Sequence, residues 1–268
     1  MSASRSITLD GELQSLMEAI RGNPTDTRLR IHLAQLSMLL GQWTRALNQL
    51  QTVALTDAAA LPFAQAYREA IRCETTRSAV FAGSAQPAFL GQPRQWQALL
   101  ARALQLRAAN DHAQADALQA QAFDLAQPVP FLVDDQRVDW IADADARLGP
   151  CCELFINGQY VWVPFQDIAL LETDPPEDLR DLAWLPARLT LCNGGQHAVM
   201  VPTRYPGSEH HDDDGVRRAA RTLWQPLGEG AWAGLGQRMW ASDRGEHPLL
   251  DTRRLQAVAA GDSDGATA

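Results

Sequence analysis

The sequence predicts an α+β protein in two parts: helical hairpins to about residue 130, then a β-rich region over 131–258. Three observations carry this. Leucines recur every three or four residues in the first half. Apolar alternation around Asn-Gly pairs dominates the second, and Pro128 and Pro130 stand at the change of period.

The first helical pattern, "DGELQSLMEAIRGNP", reads as a degenerate half-hairpin. From Thr25 the spacing of Leu29, Leu33, Leu36 and Leu40 predicts a helix, with Asp26 after Pro24 as its cap. Gly41 breaks it. Trp43, Ala46, Leu47, Leu50 and Val53 begin a second helix, with Ala46 small enough for close approach. "PFAQAYREAIRCETTRSAVF" reads as one long helix. "LLARALQLRAANDHAQADALQAQAFDLAQP" repeats the hairpin, with Ala103, a turn at Asn110, then Ala115 and Ala122. These positions match a tetratricopeptide-like repeat, with a plain helical bundle as the alternative.

In the second half, "CCELFINGQYVWVPF" is a hairpin around Asn157-Gly158, and "ARLTLCNGGQHAVMVP" another around Asn193-Gly194. "FQDIALLE", "RAARTLW" and "GQRMWAS" supply further strands. Many short strands in so few residues predict a small barrel or a curled antiparallel sheet. "DPPEDLRDLAWLP" reads as a helical turn whose Leu179, Leu182 and Trp184 pack on that sheet. The tail, 259–268, is expected to be disordered.

Charge is unevenly placed. All 23 basic residues of this 268-residue chain are arginine; residues 1–130 hold 11 against 10 acids, and residues 131–268 hold 12 against 22. No basic cluster interleaves with aromatics, which argues against nucleic acid. No apolar run is long enough to span a membrane, and no secretory signal precedes Leu9. Cys73, Cys151, Cys152 and Cys192 show no metal-ligand spacing and read as reduced thiols of a cytoplasmic protein.

Two clusters invite a chemical reading. "WIADADARLGP" holds Asp143 and Asp145 in a D-x-D, which on a loop can bind a divalent metal; with His210 or His211 it would make a metal-dependent enzyme. The same spelling can be a turn whose carboxylates accept backbone N–H bonds and pair with Arg147. No glycine-rich phosphate loop or G-x-S-x-G accompanies it, which favours the turn. "SEHHDDDG" reads as a solvated loop. Of eight tryptophans, six fall after residue 130, most of them expected in the core.

Together "FAGSAQPAFLGQPRQW", "WIADADARLGPCCELFINGQYVWVPF", "PEDLRDLAWLPARLTLCNGG", "VPTRYPGSE" and "GLGQRMW" resemble the blocks of the ImpE/TagJ (SciE-type) family, accessory components of type VI secretion systems. The resemblance covers roughly Leu9 to Arg254. It implies a non-enzymatic adaptor without a cofactor, in which Trp140, Asp143, Asp145, Arg147, Gly149 and Pro150 fix the junction between the parts. The implied partners are the N-terminal helix of the small contractile-sheath subunit and, through it, the ATPase that disassembles the sheath. Helix-in-groove recognition on Leu33, Leu36, Leu40 and Trp43 is the expected mode. A metal-dependent enzyme and a chaperone-like effector scaffold are the alternatives.

Overall fold

The computed structural model of the chain describes residues 8–228 and 230–258. The tail expected to be disordered lies outside them.

Among the described residues six α-helices build the first half: α1 (Leu9–Gly22), α2 (Thr27–Leu39), α3 (Trp43–Thr56), α4 (Leu61–Phe81), α5 (Gln95–Ala108) and α6 (His112–Leu125). Their ends follow from local chemistry. Thr8 caps α1 through the Gly11 N–H, and the Asp26 carboxylate accepts the Arg28 and Leu29 N–H groups that begin α2. Asn110 adopts the left-handed backbone between α5 and α6. Ala46, Ala115 and Ala122 are fully buried where paired helices meet. The short α7 (Asp214–Arg217) lies in the second half.

The strands are β1 (Ala88–Phe89), β2 (Phe131–Val133), β3 (Gln136–Val138), β4 (Ile141–Asp143), β5 (Cys151–Ile156) and β6 (Gln159–Pro164). There follow β7 (Ile168–Thr173), β8 (Trp184–Leu191), β9 (Gln196–Pro202), β10 (Thr222–Gly228) and β11 (Ala231–Gly236). β12 (Met239–Ser242), β13 (Gly245–Pro248) and β14 (Arg254–Ala257) complete the set. Nine of them form one sheet in the order β1-β6-β5-β9-β8-β7-β14-β2-β3. The sheet stays open, so no barrel closes. β10-β11 make a separate ribbon, and β13-β12-β4 a three-stranded sheet.

Asn157 and Gly158 both have positive φ (50° and 71°), and Ile156 pairs with Gln159 across them. That is the two-residue turn whose twist matches paired strands.

Both faces of β5 are covered. Cys151 and Phe155 face the helices, in a cluster with Tyr67, Trp96, Leu100, Trp162 and Trp184. Cys152, Leu154 and Ile156 face a second cluster with Phe131, Val163 and Trp240. The adjacent cysteines thus lie on opposite faces, as the period of 2 requires. The helical half also donates β1 to the sheet, in parallel pairing with β6. Packing therefore runs continuously across residue 130.

A third cluster joins Leu9, Leu13 and Leu16 of α1 to Leu33, Leu36, Leu39 and Leu40. Leu179 and Leu182 pack against it. These two leucines belong to the α1–α2 cluster rather than to the sheet, where the sequence pattern put them.

Candidate functional site

The D-x-D segment starts at the end of β4. Asp143 Oδ1 accepts the Asp145 N–H at 2.9 Å. Asp145 Oδ1 accepts the Arg147 N–H at 2.9 Å, while its Oδ2 takes Arg147 Nη2 at 2.5 Å and the Gly234 N–H at 3.0 Å. Asp145 is fully buried, and the Arg147 guanidinium lies 4.9 Å from the Phe81 ring. Gly149 has φ +47°, and a Cβ there would sit 2.5 Å from Phe123, so glycine is required on two counts. The carboxylates are occupied as backbone acceptors and arginine partners. Among the described residues no group of three or more His, Cys, Asp or Glu is placed to hold a metal ion.

Beyond the loop runs a buried ionic seam. Arg238, 1% exposed, donates to Asp143 and to Glu153. Arg77 of α4 grips Glu153 with Nε at 2.9 Å and Nη2 at 2.6 Å, and reaches Glu74 at 2.9 Å. Tyr160 Oη donates to Glu153 at 2.7 Å, and Trp184 Nε1 to Glu74 at 2.7 Å. Tyr205 Oη donates to Asp143 at 3.1 Å. The seam bolts α4 to the sheet. Burial raises the Asp143 carboxyl to about 6, against the pull of Arg238. Burial likewise lowers Arg238 below the ordinary arginine value. Sequence reasoning missed Glu74, Arg77, Glu153, Tyr205 and Arg238. The one signal was a glutamate inside the apolar run "CCELFI".

The other expected residues fall elsewhere. Leu33, Leu36 and Leu40 are buried, at 5%, 0% and 7% exposure, because α1 lies over them. Trp43 stacks on Trp184 at 5.7 Å between centroids. The three leucines form interior packing, and Trp43 is half-buried against the cluster that faces the sheet. The "HHDDDG" segment is not simply solvated: Asp213 caps α7, and Asp214 accepts the Leu9 N–H at 2.8 Å at the start of α1. Arg218–Glu12 at 2.8 Å and Arg217–Asp10 at 3.3 Å fasten the same helix. His210 and His211 do not approach the D-x-D carboxylates in any hydrogen bond or ion pair among the described residues; His211 accepts from Asp213 and His210 pairs with Glu209. Burial pushes the Cys152 thiol up to about 12 and Cys73 to about 11, which removes nucleophilic character.

What the loop does present is an open apolar cleft of about 370 Å³, whose lining includes Phe123, Trp140, Ala144, Ala146, Gly149 and Pro150. A second groove shares Ala144 and Ala241 with it and extends to Trp224 and Trp232. Phe123, Trp140 and Trp232 are exposed by 38%, 37% and 48%.

This cleft lies mostly within residues 135–256, the span that matches the family model described as ImpE protein. A Pseudomonas aeruginosa protein named "Type VI secretion system accessory component TagJ" is 45% identical over 247 residues, covering 92% of this chain and 86% of that protein. The chain belongs to the ImpE/TagJ family. The X-ray structure of protein VPA1032 from Vibrio parahaemolyticus has the same fold: TM-score 0.85 at 27% identity, covering 93% of this chain and 94% of the other. Membership extends over the helical half as well, which the family model's span leaves out.

Proposed function

We propose that this chain is a non-enzymatic accessory component of a type VI secretion system, acting in the cytoplasm. It binds the N-terminal helix of the small contractile-sheath subunit and through it bears on sheath disassembly by the ATPase. The observation that carries this reading is the 45% identity to an accessory component of that name across 92% of the chain. Two features of the site agree with it. The D-x-D carboxylates are committed to backbone amides and arginines, so they hold the junction. The surface they shape is apolar and open, which suits a protein partner better than a reacting small molecule. No described helix is long and apolar enough to cross a membrane.

Binding of the full chain to the purified small sheath subunit, and to a peptide of its N-terminal helix, tests the proposal. Saturable one-to-one binding of both is expected. Binding to neither would remove the proposed partner.

A further inference from the structure

The β10–β11 ribbon carries two tryptophans that lie outside the buried core. Trp224 lies opposite Gly234, and Pro226 opposite Trp232, so both indoles project from one face of the ribbon as diagonal neighbours. A Cβ at Gly234 would meet the Tyr205 ring at 2.1 Å, so glycine lets Tyr205 lie against the ribbon and back Trp224, 5.8 Å away between centroids. The Trp232 carbonyl accepts the Ala146 N–H at 2.9 Å, and the Gly234 N–H donates to Asp145 at 3.0 Å. The D-x-D turn thus fixes the backbone that carries Trp232, while its indole stays 48% exposed. Among the described residues the two indoles make no ring contact with each other; the ring that Trp224 meets is Tyr205.

Both indoles line a groove of about 410 Å³ with Ala144, Ala241 and Glu246. Ala241 pairs with Glu246 across β12 and β13, which sets the carboxylate beside a small residue on one wall. Glu246 is exposed and makes no ion pair among the described residues; its neighbour Arg244 is taken by Asp243 at 3.3 Å. Nor does an arginine stack on either indole: those that lie over aromatic rings sit on Phe63, Tyr67, Phe81 and Tyr205. The groove therefore offers electron-rich ring faces and a negative charge, with no described cation of its own. The kind of cation follows from what the lining lacks. A lysine ammonium brings three N–H donors and a guanidinium five, whereas Glu246 is the one carboxylate in the lining. The donors left over would face indole and alanine. An ammonium whose hydrogens are replaced by methyl groups has no donor to satisfy and lays methyl surface on the rings.

We infer that this groove binds an organic cation of the trimethylalkylammonium class, held by cation–π contact with Trp224 and Trp232 and by the charge of Glu246. The inference stands apart from the proposed function, since it needs neither the sheath subunit nor a helix. A free solute and a lipid headgroup can carry the same group, and the experiment separates them.

The test is calorimetric titration of the full chain with three probes. They are choline, its neutral isostere with a tert-butyl group in place of the trimethylammonium, and ethanolamine, its primary-amine counterpart. Choline is expected to bind with a Kd on the order of 1 mM, and the other two at least fivefold more weakly. Trp232→Leu keeps an apolar side chain without the ring's quadrupole and should weaken choline at least fivefold; Glu246→Gln should weaken it roughly threefold. Both changes sit on exposed side chains, and circular dichroism checks that the variants fold. Equal binding of choline and the neutral isostere would overturn the cation site and leave an ordinary apolar groove. Ethanolamine that matches choline would overturn the alkylated class. No saturable binding up to about 20 mM choline would overturn the site outright. Co-sedimentation with phosphatidylcholine vesicles, released by free choline and absent in Trp232→Leu, would support the site with a headgroup as the source. Choline binding without co-sedimentation would support it with a free solute.

Discussion

The leucine cluster under α1 and the cleft beside Trp140 are made of the same kind of side chain and end in opposite states. Leu33, Leu36 and Leu40 are closed over by Leu9, Leu13 and Leu16, and α1 is fastened down by Asp214 and by the Arg217 and Arg218 ion pairs. Phe123, Trp140 and Trp232 stand open around small residues. Apolar periodicity identifies a face that must be buried, but not whether the chain itself supplies the cover. In the first region it does. In the second the face stays open.

The buried seam holds the open region rigid. A cleft whose wall includes Asp143 keeps its shape only if Asp143 is held, and Arg238, Tyr205 and the Asp145 amide hold it. The largest expected effect comes from breaking that support. Glu153→Ala removes the carboxylate that Arg77 and Arg238 share, leaving two buried guanidiniums with one carboxylate each, Glu74 and Asp143, and should cost about 3–5 kcal/mol in chemical denaturation. Because α4, the sheet and the shared apolar cluster meet at this point, wild type should unfold in one transition. Two separable transitions, with a protease cut near residues 128–138, would instead show two halves that fold independently.

Next comes the covered region. Leu36→Ala should cost about 2–5 kcal/mol and leave the affinity of the folded protein for the sheath helix within about twofold. A large loss of affinity with little loss of stability would mean that α1 lifts away and the leucines are a binding face after all.

A smaller effect is expected at the loop. Asp143→Asn with Asp145→Asn removes charge-assisted bonds worth roughly 1.5–3 kcal/mol each, partly replaced by the amides, so the melting temperature should fall by several degrees. An unchanged melting temperature would contradict the structural role.

The pH dependence of Asp143 sharpens this further. Its folded-state value, about 6, lies above the ordinary carboxyl value, so the folded state binds the proton more tightly. The resulting stabilisation is complete at low pH and lost as pH rises through about 6. Asp143→Asn alone should therefore differ most from wild type at about pH 4 and below, with the gap narrowing toward pH 7 in thermal melts. A gap that widens with pH would show that the ion pair with Arg238 outweighs burial.

Much of the architecture was legible because its causes are local. Asn157-Gly158 specifies a two-residue turn by permitting positive φ twice, and Asp26, Gly41 and Asn110 mark helix boundaries by capping or left-handed backbone. The bonds of Asp143 and Asp145 to the amides two residues on, and of Asp145 to Arg147, have an equally local cause. The seam was not: Glu153 and Arg238 lie 85 residues apart, and nothing in one sequence announces their pairing. Nor was the open cleft. Trp140 and Trp232 are exposed while Trp162, Trp184 and Trp240 are core, and composition treats all five alike.

Hydrogen–deuterium exchange of the full chain tests the central claim most directly, because it reads the cover and the leucines beneath it in one experiment. Protection of α1 as lasting as that of α2, with both lost together, is the predicted result. An α1 that exchanges freely while α2 stays protected would contradict it.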